Sequence, residues 1–208
     1  MIKSLDRISY LTNSLEEAEK TFSAFFGAKP LKKVISKDRN YESMLYGFEN
    51  MHFEIIKKND DSSEEDKLYG FSLLSDDLTR LNISTSYNEY ENNEESENKA
   101  QLVKSIDIKQ SPDFQLSVNE YKGFDMNRSN ENNLFALDHL VLTTNKSDTL
   151  INLYEKELGI RLALDQFVEK WGGRMLFFRT GHATIEVIDN KVEGNDQFWG
   201  LALSLIHI

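Results

Sequence analysis

The sequence predicts an α+β protein built from repeated modules, each with a strand, a helix and three further strands. The first observation is a duplication, because the segment LDRISYLTN at 5–13 returns as LDHLVLTTN at 137–145. The offset between these segments is kept by Phe22 and Tyr154, Gly27 and Gly159, and Glu54 and Glu186. A constant offset over about fifty residues indicates an internal repeat. The second observation is the order of apolar patterns, which is the same in both copies.

In the first copy, residues 3–11 alternate as a strand does. Ser14 and Glu17 form a capping-box pattern, and Gly27 predicts the end of the helix. The apolar face of this helix is predicted to contain Leu15, Ala18, Phe22 and Phe25. Three short apolar segments then predict strands at 31–35, 43–48 and 51–57.

A second, degenerate module is predicted to follow an acidic spacer at 59–67. Its pattern indicates a strand at 68–74 and a helical turn at 76–81. A polar loop at 87–100 and a hairpin of 101–109 with 114–122 follow. Residues 1–122 are therefore expected to form an N-terminal domain of two modules, followed by an Asn-rich linker over 123–136.

The second copy has the clearer pattern and is predicted to open another domain over 137–202. Its first strand is 137–144, and Asn145 with Asp148 is expected to cap the helix. The helix face contains Leu150, Ile151, Leu153, Tyr154 and Leu158, and Gly159 ends it. Strands are predicted at 161–168, 175–180 and 183–189, with one more from Phe198.

We expect residues 203–208 not to be native. Their sequence, LSLIHI, is the translation of a transposon-end sequencing adapter. The natural protein is then expected to continue after Ala202, and His207 is given no role. A module without its partner would expose apolar groups around Val141 and Ile188. Dimerisation with a second copy of the chain is one way to cover them.

Composition excludes several functions. The formal net charge is −11 and no basic stripe occurs, which argues against nucleic-acid binding. The chain has no cysteine, which excludes thiolate catalysis and cysteine metal ligands. No apolar run is long enough for a membrane span and no signal peptide is recognisable, so a soluble cytoplasmic protein is expected.

The repeated modules resemble the vicinal oxygen chelate superfamily, which includes glyoxalase-like, bleomycin-resistance and extradiol dioxygenase proteins. The resemblance lies in the strand 137–142, LDHLVL, and the helix end 153–159, LYEKELG. It extends to FFR at 177–179, TIEV at 184–187 and WGLA at 199–202. It implies tandem βαβββ modules in curved mixed sheets, with helices on the convex side and a cleft on the concave side.

In metal-dependent members of that family, each module offers one ligand from its first strand and one from its fourth. Carried over, these positions are His139 and Glu186, with Glu186 also the candidate catalytic acid or base. Strand parity places both on the concave face. Their donor atoms suit Zn, Ni, Fe or Mn. The next ligand position falls on Gly200, which has no side chain that could bind a metal. The alternative is therefore that His139 and Glu186 form a hydrogen-bonded pair without a metal.

The first copy has Arg7 and Glu54 at the matching positions, with Gly70 assigned to the next module. Arginine stays protonated and is not a normal metal ligand, so an ion pair is predicted, which His52 could join.

Two functions follow from the resemblance. One is a metal-dependent lyase, isomerase or dioxygenase acting on a small oxygenated substrate in the C-terminal cleft. The other is a non-catalytic small-ligand-binding protein of the bleomycin-resistance kind. Arg174 and Arg179 are candidates to hold an anionic ligand, and only one of them is expected to face inward. Trp171 and Trp199 are candidates to line a pocket.

Overall fold

The structure is a computed structural model that describes residues 1–36, 40–59, 65–91, 101–122, 135–170, 172–189 and 193–205. The predicted linker falls largely outside the described residues, and so do Trp171 and residues 206–208. Two mixed β-sheets with helices packed on one face of each make up the fold, as the sequence predicted.

The first two modules form one eight-stranded sheet in the order β2-β3-β4-β1-β5-β8-β7-β6. The first module consists of β1 (Ile2–Leu11), α1 (Leu15–Phe26), β2 (Lys32–Ser36), β3 (Tyr41–Gly47) and β4 (His52–Lys58). The second consists of β5 (Lys67–Ser75), a 3-10 turn (Leu78–Arg80), β6 (Tyr87–Glu91), β7 (Gln101–Ile108) and β8 (Gln115–Lys122).

The second copy forms a five-stranded sheet in the order β10-β11-β12-β9-β13. Its elements are β9 (Phe135–Thr144), α2 (Ser147–Ile151), a π-helical turn (Asn152–Glu157), β10 (Arg161–Val168), β11 (Gly173–Thr180), β12 (Ala183–Asp189) and β13 (Gln197–Leu205).

One pairing rule organises both sheets. The first strand of a module pairs in parallel with the fourth strand of the same module, as β1 does with β4, β5 with β8, and β9 with β12. The first strands of neighbouring modules pair antiparallel, as β1 does with β5 and β9 with β13. The centre of each sheet therefore carries side chains from two modules.

The convex faces of the two sheets share one hydrophobic core with the helices. Ile8, Leu73 and Val118 from the first sheet belong to this core together with Leu140 and Ile185 from the second. At 25 cal/mol per Å², burial of such side chains contributes about 1.5–3 kcal/mol each. Phe198 of β13 packs edge-on against the rings of Phe71 and Phe114, so the core continues from one sheet into the other.

The helices confirm some sequence predictions and correct others. Ser14 accepts the backbone N–H of Glu17, and Gly27 ends α1 with φ +64°. The predicted core residue Phe25 is 62% exposed, and the buried ring is Phe26 instead. The reason is that the helix presents Phe26 to β4, while Phe25 lies against Phe135 at the rim.

The cap predicted for the second helix is wrong. Its N-cap residue is Lys146 and no side chain caps it. Thr144 Oγ1 instead accepts the backbone N–H of Lys146 at 2.9 Å, which holds the turn into the helix. The helix then widens into a π-helical turn and ends at Gly159, whose φ is +69°.

Two further expectations are corrected. Tyr87–Glu91, placed in a polar loop by the sequence, is the edge strand β6 and pairs with β7. Val141, expected to be exposed, is 5% exposed, because β12 and β13 flank its strand on both sides. Ile188 is half-buried.

A hydrogen bond from a threonine to an aspartate occurs at the same place in both copies. Thr12 Oγ1 donates to Asp66, which immediately precedes β5. Thr144 Oγ1 donates to Asp196, which immediately precedes β13. Each of these hydrogen bonds connects the end of one module's first strand to the start of the next module. This shared contact gives a structural reason for the threonine that is repeated at this position.

Polar contacts also join the two sheets. Asn50 makes two hydrogen bonds with the backbone of Leu137, at 2.9 and 2.7 Å. Glu157 of the π-helical turn accepts the backbone N–H groups of Ser84 and Thr85, both at 3.0 Å, and also the Ser84 hydroxyl. Because Glu157 is 6% exposed, it acts as a buried anchor for the loop that precedes β6.

In the part of the chain that the structure describes, no helix is both long and apolar enough to cross a membrane.

The Glu157 anchor predicts acid-sensitive packing. Burial raises the pKa of Glu157, but the hydrogen bonds from Ser84 and Thr85 lower it by more, so its pKa lies below the ordinary glutamate value. Its stabilising contribution is therefore full at neutral pH and is lost as the pH falls below the ordinary pKa of a glutamate. Glu157→Gln should lower the free energy of unfolding at pH 7 by about 1–3 kcal/mol.

Urea unfolding at pH 7 and pH 3 measures this effect. The matched control is Glu155→Gln on the same turn, whose carboxylate pairs with the exposed Lys156 and should change stability by about 0.5 kcal/mol or less. Equal effects of the two substitutions at pH 7 would contradict the assigned role of Glu157.

Candidate functional site

His139 and Glu186 meet on the concave face of the five-stranded sheet. His139 lies opposite Thr184 in the parallel register, and Glu186 lies opposite Val141, two residues further along β9. His139 Nε2 is 3.1 Å from Glu186 Oε2, with side chains 29% and 12% exposed. The structure thus brings together the two residues that the sequence singled out, with both side chains partly exposed.

Asp138 contacts the other imidazole nitrogen of His139. Its Oδ2 atom is 3.3 Å from Nδ1, and its side chain is 66% exposed. A carboxylate on one ring nitrogen fixes the orientation of the imidazole and directs the other nitrogen, here toward Glu186. The repeated Leu-Asp dipeptide was visible in the sequence, but its role was not inferred there.

Arg179 is the arginine that shares this face. Its Nη1 atom donates to Thr184 Oγ1 at 3.0 Å, and Thr184 is the strand neighbour of His139. Phe177 lies opposite Glu186 and two residues before Arg179 on the same face, and it is half-buried. The site therefore combines a carboxylate, an imidazole, an exposed guanidinium and an aromatic ring.

Arg174 does not belong to this site. It forms bidentate hydrogen bonds with Asp165 at 2.7 and 2.6 Å and a further one with Asp148. Hydrogen bonds from Arg174 hold the pKa of Asp165 below its ordinary value. The prediction that only one of the two arginines faces inward is consistent with these contacts, because Arg179 and Arg174 have opposite strand parity.

The first sheet has an ion pair at the matching positions. Glu54 lies opposite Ser9, two residues beyond Arg7, as Glu186 lies two beyond His139. Arg7 Nη1 donates to Glu54 Oε2 at 2.9 Å, so the predicted ion pair is confirmed. His52 lies beside Arg7 in the same register.

The positions assigned to the neighbouring modules are equivalent to Arg7 and His139 and do not lie directly across from them. Gly70 follows the extra residue Tyr69 of β5, as Arg7 follows the extra residue Asp6 of β1. Gly200 follows the extra residue Trp199 of β13, as His139 follows the extra residue Asp138 of β9. Ser72 lies opposite Arg7, and Ala202 lies opposite His139. Gly70 has a packing reason, since an added Cβ would lie 2.3 Å from the carbonyl oxygen of Gln115.

The resemblance implies a divalent metal, but the described residues do not complete a site for one. His139 and Glu186 supply one nitrogen and one carboxylate donor, and Gly200 and Ala202, which lie opposite Val141 and His139, supply none. A catalytic zinc normally has three protein ligands. Among the described residues, no group of three or more His, Cys, Asp or Glu side chains is placed to hold a metal.

Two other candidate residues are exposed. His182 lies in the turn between β11 and β12, as predicted. Trp199 is 69% exposed and is the extra residue of β13 between Phe198 and Gly200.

Comparisons with solved structures identify the fold. A triple mutant of 4-hydroxymandelate synthase from Streptomyces coelicolor matches with a TM-score of 0.67 and 12% identity, covering 98% of this chain and 71% of that one. A hypothetical protein from Staphylococcus aureus matches with a TM-score of 0.66 and 8% identity, over 98% and 91% of the two chains. BphC, a halotolerant catechol dioxygenase, matches with a TM-score of 0.62 and 12% identity, over 100% and 72%.

No family model matches the sequence, and no curated protein does so. The structural matches nevertheless show the fold: this chain has the glyoxalase-like fold that its resemblance implied. At these identities the likeness establishes the fold and leaves the activity to be argued from the site.

The Arg7–Glu54 pair predicts a large loss of stability when only one partner is removed. Arg7→Met should lower the free energy of unfolding by about 3–5 kcal/mol, because it leaves Glu54 and the neighbouring Asp6 buried without a countercharge. The control is Arg174→Met, whose exposed ion pairs should contribute about 1 kcal/mol or less. Chemical denaturation measures both, and comparable losses would show that Arg7 is not a buried countercharge.

Proposed function

We propose that this chain binds a small oxygenated, anionic molecule on the concave face of the five-stranded sheet. The observation that supports this most is the contact between His139 and Glu186 at 3.1 Å on a partly exposed surface. An imidazole and a carboxylate that only stabilised the fold would be expected to be fully buried or fully solvated. The side chains of His139 and Glu186 are instead partly exposed.

Arg179 supports the choice of an anionic ligand. Its side chain is exposed and is oriented by Thr184, the strand neighbour of His139. An oriented guanidinium binds carboxylates through two parallel hydrogen bonds. A ligand with its carboxylate on Arg179 would place its neighbouring oxygen atoms toward His139 and its carbon skeleton over Phe177.

Glu186 is the residue proposed to carry out chemistry if the protein is an enzyme. Its carboxylate can accept a proton from a carbon next to a ligand carbonyl. With Asp138 on Nδ1, His139 Nε2 donates a hydrogen bond to the oxygen that becomes negative when the imidazole carries both of its protons. In this reading Asp138 orients the imidazole, and Arg179 holds the substrate.

A metal-dependent lyase, isomerase or dioxygenase is the second candidate. The supporting observation is that His139 and Glu186 share the strand positions at which the fold family presents its ligands. Zn, Ni, Fe or Mn bound there would act as a Lewis acid for ligand oxygens. This candidate needs at least one ligand beyond the described residues, so the binding proposal takes precedence.

The binding proposal predicts stabilisation by small acids that have a neighbouring oxygen. A panel of 2-oxo and 2-hydroxy carboxylic acids, screened by thermal unfolding of the full chain, should include members that raise Tm by several degrees at millimolar concentration. His139→Ala and Arg179→Gln should each abolish this shift, while the control His182→Ala should retain it. A shift that persists in both site variants would place binding elsewhere.

Metal analysis separates the two candidates. After incubation with Zn²⁺, Ni²⁺, Mn²⁺ or Fe²⁺ and dialysis, the binding proposal expects no stoichiometric metal in the full chain. About one metal ion per chain, lost in both His139→Ala and Glu186→Gln, would favour the metal-dependent enzyme instead.

A further inference from the structure

The five-stranded sheet carries two arginines side by side, of which the proposed function uses only one. Arg161 of β10 lies directly opposite Arg179 of β11 in the antiparallel register. Directly opposite residues of an antiparallel pair share a face, so Arg161 lies on the concave face with Arg179. Both side chains are exposed. The sequence did not indicate this pair, because only the register of the two strands brings the arginines together.

One row of residues across the sheet connects the arginine pair to His139. Arg179 lies opposite Thr184, and Thr184 lies opposite His139. Arg179 Nη1 donates to Thr184 Oγ1 at 3.0 Å, which orients the guanidinium along this row. Neighbouring strands are about 4.7–4.9 Å apart, so Arg161 extends the row by one strand on the side away from His139.

The two arginines of this pair lack the carboxylate partners that other arginines have. Each of the other three arginines in the described ranges forms an ion pair, namely Arg7–Glu54, Arg80–Asp77 and Arg174–Asp165. Among the same residues, no carboxylate forms an ion pair with Arg161 or Arg179. Like charges directly opposite each other destabilise a sheet. An anion bound between the two guanidinium groups would remove this unfavourable repulsion.

The pair also changes the charge balance of the proposed site. Glu186 and Asp138 place two carboxylates beside His139, and Arg179 alone supplies one positive charge against them. With Arg161 the two signs balance, and they are separated, because the arginines stand on β10 and β11 and the carboxylates on β9 and β12. Since the chain has a formal net charge of −11, an anion needs such a local concentration of positive charge.

We propose that Arg161 and Arg179 select a ligand with two anionic groups, so that the molecule bound beside His139 is a small dianionic acid. This inference rests on the proposed function, because it names the ligand class of the same site. Arg179 binds the carboxylate next to the ligand oxygen, and Arg161 binds the second anionic group, a carboxylate or a phosphate. A guanidinium can form two parallel hydrogen bonds with either group.

The spacing of the two arginines sets the length of the ligand. The Cβ atoms of directly opposite residues are about 4.5–5.5 Å apart, so an acid with about two or three carbon atoms between its anionic groups matches the pair. A monocarboxylate of the same length would leave Arg161 without a partner. Arg161 is therefore a specificity-determining residue, distinct from the pair that faces the ligand oxygen.

Isothermal titration of the full chain, in a buffer free of phosphate and sulfate, tests this selection. The probe is 2-oxoglutarate, and the matched control is 2-oxopentanoate, which has a methyl group in place of the second carboxylate. We expect 2-oxoglutarate to bind about five- to tenfold more tightly. This preference should shrink at high salt, because the additional contact is charged and exposed. Tighter binding of 2-phosphoglycolate than of 2-oxoglutarate would identify the second group as a phosphate.

Variants assign the preference to Arg161. Arg161→Gln should bind the two oxo acids equally, and its affinity for 2-oxopentanoate should stay within about twofold of the unmodified chain, because Arg179 is unchanged. Arg161→Lys keeps the charge but loses the planar fork, so it should retain part of the preference. The matched control is Arg174→Gln, which removes a positive charge that is paired with Asp165 and should keep the full preference.

Thermal unfolding separates ligand selection from a structural role. Without ligand, Arg161→Gln should raise Tm by about 1–3 °C, because it removes the repulsion between like charges. With saturating 2-oxoglutarate the order should reverse, because the unmodified chain binds this acid more tightly. A lower Tm of Arg161→Gln in the absence of ligand would show that the arginine stabilises the fold and would contradict the inference.

Two binding results would also overturn it. They are equal affinities of the unmodified chain for 2-oxoglutarate and 2-oxopentanoate, and a preference that persists in Arg161→Gln. In either case, 2-oxopentanoate binding that is lost in Arg179→Gln would leave the proposed function intact. If none of the three acids bound up to about 50 mM, the proposed function would be rejected and this inference with it.

Discussion

The parallel contact between the first and fourth strands of each module is the constraint on which the rest of the structure depends. It places Glu54 beside Arg7 and Glu186 beside His139, although each pair is separated by more than forty residues of chain. Parallel strands need a crossover connection, which here runs through the helix or helical turn of the module and its two intervening strands. One connection thus creates both the apolar core and the polar concave surface.

The two copies show how one geometry accommodates different electrostatics. With Arg7, the concave face holds two nearly buried carboxylates around a guanidinium, and serine, asparagine and tyrosine side chains complete their hydrogen bonds. With His139, the face is more open, and Asp138 at the same bulge position is largely exposed. A buried arginine requires its countercharges and their partners, whereas a half-buried histidine requires few of them.

The two sheets depend on each other through contacts that are remote in sequence. Phe198 packs on Phe71 and Phe114, and the Tyr154 hydroxyl donates to Gln110 at 2.7 Å from within the shared core. Glu157 and Asn50 add polar contacts at the margins. Tyr154 and Glu157 both belong to the π-helical turn, so these interactions connect that turn to the first sheet.

The sequence by itself determined the modules, the faces of their strands and the two site pairs. Periodicity of two assigns residues to a face, and a constant offset between copies identifies Arg7 with His139 and Glu54 with Glu186. Only the tertiary structure decided that Ser72 and Ala202 lie across from these residues and that Asp6 joins Arg7 and Tyr121. Bulges and register arise from pairing between strands that are distant in sequence. Local sequence patterns therefore do not show which residues lie opposite each other.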